Sequence, residues 1–490
     1  MDHREIKHKG ITSAIWGVLG KFSTHLVTFI VSLILSRLLT PADFGMVGMA
    51  MVFIYFTQTF MDFGLTSAVI QKKHPTETQI STVFYVGIIL SVILMLIMIL
   101  CAPLIGKFYH NEEVGKIARF VSYSYVILAL TGLQRALLSK QLEIRLIIII
   151  TIIGTAIQAV SGVILACYGF GAWSLVYSTF LNNVVTTILL WIKSSWRPKW
   201  LFSLPEIKDM FAFGSKMFVA GILESVYVKL DEMVIGKMFN ESTLGYYHRS
   251  KSFNNLVVAY TSEGLRSVFF PIMSHLQDDL ASVKKVILKS MEMVCFIAFA
   301  LTAILYLDAK PLIVILFGDQ WLSSVGYFQI LAFVAYAYPV SIILVNVLSG
   351  LGKSGQFLKL EIWKKVVGLC GMTVGFIWGI NGFLWANVGI NAVGITLNMW
   401  FVGKYVDLTI ADQWKIILKY AFIALLSALP VWLLNLVLPP NLWLLLTVDT
   451  LLFLVFYLGA NRMMQMKGFT FVKDIVTSRF GNILIRRFGK

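Results

Sequence analysis

Ionisable side chains recur along apolar stretches of this 490-residue sequence, where a charge needs a physical reason to be present. The first predicted helix carries Lys21 and His25 in a stripe with small polar residues, and the second carries Asp62. A larger set of charges lies between residues 216 and 266. A charge near the centre of a bilayer costs about 2.5–3.5 kcal/mol on insertion scales, so these groups should pair or surround water.

Two interpretations of these groups compete. In the first, they pair and hold helices together, and we favour this for single Ser, Thr and Asn residues. In the second, the ionisable groups surround a hydrated substrate cavity, because they are too many to face lipid. The predicted cationic members of this cavity are Lys21, His25, Lys216, His248, Arg249, Lys251 and Arg266. The predicted acidic members, which would hold the polar network or take up a coupling ion, are Asp62, Glu224, Asp231 and Glu232.

The balance of charge in this predicted cavity is mixed and leans basic, and its two histidines add positive charge when protonated. Such a cavity suits a ligand with an anionic head, such as a phosphate or diphosphate, and many hydroxyl groups. We expect no bound cofactor and no metal, while coupling to a gradient of H+ or Na+ stays open.

The elements that must position these residues are long apolar helices. The sequence is 58% hydrophobic and only 13% charged, which predicts an all-α polytopic membrane protein. Apolar runs predict about fourteen transmembrane helices, at 11–39, 43–70, 79–105, 113–138, 146–168, 171–193, 207–238, 242–270, 283–307, 324–349, 355–379, 382–404, 413–437 and 441–461. Two six-helix lobes are predicted at 1–193 and 207–404, joined by a cytoplasmic linker at 194–206. Two further helices follow at 405–462, and a basic amphipathic tail follows at 463–490.

An internal repeat relates the two predicted lobes. Residues 31–45 and 231–245 share a chemical pattern at an offset of 200 residues. In each copy an apolar helix ends near a cation, a capping residue follows, and a glycine comes five residues after the cap. The cation Arg37 matches Lys237, and Gly45 matches Gly245. Between them, the cap formed by Thr40 and Asp43 matches the cap formed by Asn240 and Glu241. Six helices per lobe is an even number, so the lobes should be pseudo-symmetric about an axis along the membrane normal.

The net charge of +16 follows from Lys and Arg in alternate short loops, which places both termini in the cytoplasm by the positive-inside rule. Nucleic acid is therefore not needed to explain the basic balance. A GLGKSGQ stretch at 350–356 lacks the first glycine of a phosphate-binding loop, and we interpret it as a cytoplasmic turn. The sequence has no HExxH or GxSxG motif, and we predict that the protein is not an enzyme.

Two stretches near the N-terminus carry a family resemblance. LSRLLTPADFGMVGMAMVF at 35–53 and FMDFGLTSAVIQKK at 60–73 resemble the opening of Wzx-type polysaccharide flippases, in the multidrug/oligosaccharidyl-lipid/polysaccharide exporter superfamily. The sequence is most similar to the colanic-acid and teichuronic-acid exporter branch. Later stretches at 133–145, 228–250 and 268–277 also fit, and Asp231 matches an acidic position of the second-lobe motif.

The resemblance implies two lobes in a V around a central cavity. It also implies a flippase that moves undecaprenyl-diphosphate-linked oligosaccharide across the bacterial cytoplasmic membrane by alternating access, for O-antigen or exopolysaccharide synthesis. The implied partners are the lipid-linked oligosaccharide, membrane lipids, a polysaccharide polymerase and chain-length or export proteins, and we expect a monomer.

Alternative functions stay open from the sequence alone. A cation-coupled multidrug exporter of the same superfamily would have a more acidic lobe. A membrane polymerase or glycosyltransferase would have a large outer loop or a soluble catalytic domain. A scaffold of polysaccharide assembly would not need the ionisable stripes.

Overall fold

A computed structural model describes residues 16, 20, 23–24, 26–62, 65–436, 441–474 and 477. Within these ranges the description leaves out the side chains of 59, 61–62, 212–214, 216–217, 219–220, 223, 255–268 and 270. The described part of the chain is helical throughout, apart from turns and short connections, and contains no strand.

Eighteen helices precede a short last helix, at 467–474, in the described chain. Their bounds are α1 Leu26–Leu38, α2 Pro41–Asp62, α3 Leu65–Gln71, α4 Glu77–Tyr109, α5 Glu112–Ser122, α6 Ser124–Lys140, α7 Ile144–Cys167, α8 Ala172–Lys193, α9 Lys208–Met238, α10 Glu241–His275, α11 Leu280–Leu307, α12 Ala309–Phe317, α13 Ser324–Ala332, α14 Ala337–Gly350, α15 Ser354–Phe376, α16 Gly379–Val406, α17 Ile410–Asn435 and α18 Leu442–Met463. Short 3-10 turns lie at Pro205–Ile207 and Asp319–Trp321.

The helices confirm the predicted fold class. Nine helical segments among the described residues are long and apolar enough to cross a membrane, two of them made of the pairs α5–α6 and α13–α14. The remaining predicted spans overlap α1, α2, α9, α10 and α15. The protein is therefore an all-α polytopic membrane protein.

Contacts divide the chain into two compact units, Met1–His248 and Arg249–Lys490. In the first unit α2 packs along α9, and α7 packs against α8 as a hairpin. Polar pairs join its helices: the Asn182 amide donates to Gln158 Oε1 at 2.9 Å, and the hydroxyls of Thr131 and Thr187 lie 2.5 Å apart. Single polar residues here hold helices together, as the first interpretation expects.

The second unit has one large apolar core, contributed mainly by α11, α14, α16, α17 and α18. A last helix, at 467–474, packs against this core: Phe469 lies 6.0 Å from the ring of Phe296, and the Gly468 amide donates to the Tyr420 hydroxyl at 2.8 Å. The predicted lobe boundaries and the predicted position of the tail on the membrane surface stay predictions.

Capping residues explain where several helices begin. Thr40 and Asp43 form the predicted cap of α2, because the Thr40 amide and hydroxyl donate to Asp43 Oδ2 at 2.8 and 2.7 Å. Asn240 Oδ1 likewise accepts from the amide of Thr243 at the start of α10. At α11, hydrogen bonds from the hydroxyl and amide of Ser282 lower the pKa of the Asp279 carboxyl.

The two repeat glycines meet where the first turns of α2 and α10 cross. A Cβ on Gly45 would lie 1.8 Å from the carbonyl oxygen of Glu241, and a Cβ on Gly245 would lie 1.9 Å from that of Pro41. The residue pairs 45–241 and 245–41 are related by the same offset of 200. The crossing is therefore symmetric, and only glycine permits the two backbones to approach so closely.

Candidate functional site

Two adjacent acidic residues near the end of α9 are buried in the first unit, at 5% exposure for Asp231 and 4% for Glu232. Adjacent helix positions point about 100° apart, so the two carboxylates meet different neighbours. The Tyr247 hydroxyl on α10 donates to Asp231 Oδ2 at 2.5 Å. The Lys229 ammonium, one turn earlier on α9, donates to Glu232 Oε2 at 2.7 Å. We call these four residues the α9 cluster.

The electrostatics of the α9 cluster depend on the ion pair. The Lys229 side chain is 20% exposed and that of Glu232 is 5% exposed, so the pair is largely removed from solvent. Removing one partner of such a pair is costly because the other charge stays buried. The Lys229 ammonium also lies 5.6 Å from the centre of the Tyr55 ring on α2, and this tyrosine is 40% exposed.

This arrangement joins a fixed pair of charges to an accessible aromatic ring. The carboxylates accept hydrogen bonds, the ammonium donates them, and the ring of Tyr55 offers a flat apolar surface. Such a set can bind a polar ligand that carries hydroxyl groups. Within the described residues no group of three or more His, Cys, Asp or Glu is placed to hold a metal ion.

Sequence reasoning missed two members of the α9 cluster, Lys229 and Tyr247. Lys229 lies three residues before Glu232, which is the helical spacing for an ion pair, and this signal was available in the sequence. The bond between Tyr247 and Asp231 joins two helices across the turn at 239–240, and no helical periodicity predicts such a contact.

Arg249 lies in the second unit with 7% exposure. Its guanidinium carbon is 4.9 Å from the ring centre of Phe317 and 5.2 Å from that of Trp321. Attraction to aromatic faces offsets part of the cost of burying the charge. Beside it, the Ser250 hydroxyl donates to the Ser324 carbonyl, and the Asn254 amide donates to the Leu331 carbonyl, which fixes this part of α10 against α13.

The other predicted cavity residues have varied positions. Glu224 on α9 is exposed, whereas His248 and Lys251 on α10 are half-buried and interact with neighbouring groups. Asp62, Lys216 and Arg266 lie on α2, α9 and α10, and their side chains fall outside the description. Lys21 and His25 lie outside the described residues. The common cavity stays a prediction.

Comparisons with known proteins identify the family. The family described as "Polysaccharide biosynthesis protein" matches residues 34–326. The chain belongs to this family. It is 25% identical over 407 residues to an uncharacterised membrane protein of the cps region of Klebsiella pneumoniae, covering 81% of this chain and 83% of that protein. It is 23% identical over 389 residues to the succinoglycan biosynthesis transport protein ExoT of Rhizobium meliloti, covering 79% and 78%.

The fold is also similar to that of solved structures. The inward closed conformation of the lipid II flippase MurJ matches 94% of this chain and 100% of that one, with a TM-score of 0.73 and 14% identity. At this identity the match shows a shared fold and nothing further. The family match includes Tyr55, the α9 cluster and Arg249.

The second copy of the repeat motif makes a defined contact through its cation. Lys237, in the last turn of α9, donates to the carbonyl of Phe108 at 2.5 Å and lies 3.1 Å from His110 Nε2. Its ammonium therefore caps the end of α4, where carbonyl groups point out of the helix. The equivalent Arg37, at the end of α1, is exposed.

Proposed function

We propose that the protein is a flippase that moves undecaprenyl-diphosphate-linked oligosaccharide across the bacterial cytoplasmic membrane for cell-surface polysaccharide synthesis. Family membership supports this proposal, as does the name of the relative ExoT, a succinoglycan biosynthesis transport protein. The observation that carries it is a buried group of fixed charges, the α9 cluster, in a polytopic membrane protein.

In this proposal the saccharide and diphosphate cross the membrane along the polar helix faces while the lipid tail stays in the bilayer. Lys251 and Arg249 attract the diphosphate, and the stacking of Arg249 on Phe317 and Trp321 holds its guanidinium in one orientation. Asp231 and Glu232 keep the α9 cluster in place through Tyr247 and Lys229. Tyr55 gives a sugar ring a surface to stack on.

Transport by alternating access also needs a contact between helices that closes the substrate pathway on one side of the membrane and then opens. In the proposal this contact is the crossing of α2 and α10 at Gly45 and Gly245, because close backbone packing without side chains can open without rearranging rotamers. The turns at 39–41 and 239–241 lie on the side that the positive-inside rule assigns to the exterior.

The test is a flipping assay in proteoliposomes, which follows how fast an undecaprenyl-diphosphate-linked oligosaccharide becomes accessible to an impermeant reagent. We expect Lys251→Gln and Arg249→Gln to slow flipping at least tenfold. The thermal unfolding temperature in detergent should stay close to that of the wild type for half-buried Lys251→Gln, whereas Arg249→Gln also loses the contacts with Phe317 and Trp321. Lys251→Arg keeps the charge and should retain most activity, and Lys310→Gln, at an exposed residue of α12, is the matched control. Wild-type rates in Lys251→Gln, at normal expression, would contradict the assignment.

A further inference from the structure

Two aspartates of the second unit are buried where α12 packs against α18, far along the chain from the α9 cluster. Asp308 is 0% exposed at the junction of α11 and α12, and Asp449 is 1% exposed in the second turn of α18. The Thr450 hydroxyl, on the residue that follows Asp449, donates to Asp308, so this turn of α18 packs directly against Asp308. Like charges in a low-dielectric setting repel strongly, so two bare carboxylates would be unstable there.

The hydrogen bonds that reach the pair come from neutral groups. The Thr450 hydroxyl donates to Asp308 Oδ2 at 2.7 Å, and the Asn435 amide donates to Asp449 Oδ2 at 2.7 Å. The other side-chain oxygens of these three residues, Asp308 Oδ1, Asp449 Oδ1 and Asn435 Oδ1, are buried and accept no hydrogen bond from the described chain. Each such oxygen carries a desolvation cost that a bound positive charge would remove.

The ordinary structural role of an aspartate at this position does not apply. Asp308 directly precedes α12, where an aspartate usually caps the helix through its side chain, but its carboxylate makes no capping hydrogen bond. It accepts from α18 instead. The Asp308 carboxylate therefore contacts α18 and not the backbone of its own helix.

The surrounding charges do not neutralise the pair. On α12 the nearest cation is Lys310, which is exposed, and the 3-10 turn packed on α12 carries exposed Asp319. The nearest cation of α18 is Arg462, 13 residues from Asp449, and that of α17 is Lys419, 16 residues from Asn435. On α11 the nearest acid is Glu292, which accepts a hydrogen bond from Tyr420.

We propose that Asp308, Asp449 and Asn435 form a site that binds one monovalent cation, a proton or a sodium ion. A proton would convert one carboxylate into a donor for a neighbouring oxygen, and sodium would be held by the three free oxygens, which are the hard ligands that such an ion prefers. The end of α11 lies on the predicted outer side, so the cation would enter from outside. The site stands on this geometry and does not depend on the proposed flipping function.

The experiment measures thermal unfolding of the purified full-length protein in detergent, without substrate. In the proton arm, sodium is absent and pH varies from 5 to 8. Deprotonation leaves two buried charges, so the stability of the wild type should fall as pH rises. The ratio of the folding equilibrium constants of wild type and Asp449→Asn should change by up to tenfold per pH unit, which is the slope for one proton. In the sodium arm, at pH 8, added sodium should stabilise the wild type and not Asp449→Asn, with potassium and choline as salt controls.

A control variant separates cation binding from helix packing. Thr450→Val removes the hydrogen bond to Asp308 but leaves both carboxyl groups, so it should lower stability while keeping the pH or sodium response. Asp308→Asn serves in place of Asp449→Asn if the latter does not fold. A response to pH alone identifies the ligand as a proton, and a specific response to sodium identifies sodium. Identical pH and salt responses in wild type and the Asn variants would overturn the proposal.

Discussion

Substituting alanine for Gly45 should separate the first turns of α2 and α10. The added Cβ would lie 1.8 Å from the Glu241 carbonyl oxygen, whereas real Cβ contacts essentially never fall below 3.0 Å. The backbones must therefore move apart by about 1.2 Å or more, because the obstructing atom is backbone and cannot rotate away. Overpacking of this kind costs about 1–3 kcal/mol.

Gly48→Ala is the matched control on the same helix. Its Cβ would meet only the Leu244 side chain, at an ordinary 3.6 Å. Alanine favours helix over glycine by about 0.8–1 kcal/mol, so this control should be neutral or stabilising. The difference between Gly45→Ala and Gly48→Ala then isolates the clash at the crossing.

Combining Gly45→Ala with Gly245→Ala gives a sharper test. Both substitutions obstruct one crossing, so once the first has separated the turns the second should cost less. We expect the double variant to lose less stability than the sum of the single losses, with a coupling of at least about 0.5 kcal/mol. The assay is thermal unfolding of the purified protein in detergent. Strictly additive losses, or a Gly45→Ala variant as stable as Gly48→Ala, would refute the symmetric close contact.

Three further predictions concern the buried polar groups. Tyr247→Phe should lower the free energy of unfolding by about 1.5–3 kcal/mol, the value for hydrogen bonds to charged groups, whereas Tyr338→Phe at an exposed tyrosine should not, and equal stability of the two variants would contradict the Asp231 bond. Lys229→Gln should lower the free energy of unfolding by about 3 kcal/mol or more, and adding Glu232→Gln should restore part of the loss. Lys116→Gln, at a surface pair, should leave the unfolding temperature unchanged. A lack of rescue would argue against a buried ion pair. Arg249→Lys keeps the charge but loses the planar contact with Phe317 and Trp321, so it should flip substrate more slowly than the wild type, and full activity would show that orientation is unimportant.

The sequence predicted the helices well because each one is a local pattern. Apolar runs of sufficient length fix the existence of a span, and short-range capping fixes its start, as Thr40 and Asp43 do for α2. The repeat pairing of Gly45 with Gly245 was likewise visible. That the two glycines meet the opposite helix at the same crossing was not, because a repeat relates positions without placing them in contact.

The charged residues were harder to assign from sequence. Helical spacing could have paired Lys229 with Glu232, but the partner of Asp231 lies on the next helix. Asp308 and Asp449 are 141 positions apart, and each lies in an apolar stretch that gives no hint of the other. Periodicity shows which face a residue occupies, and only the packing of separate helices shows what lies opposite that face.

We propose that a sugar-diphosphate head crosses this protein because fixed charges bind it. The most direct test of this proposal compares wild-type flipping rates in proteoliposomes for two polyprenyl lipids with the same saccharide, one joined by a diphosphate and one by a neutral linker. We predict that the diphosphate lipid is flipped at least tenfold faster than the neutral lipid and faster than in protein-free vesicles. Equal rates for the two lipids, or no flipping of the diphosphate lipid above the protein-free rate, would contradict the account.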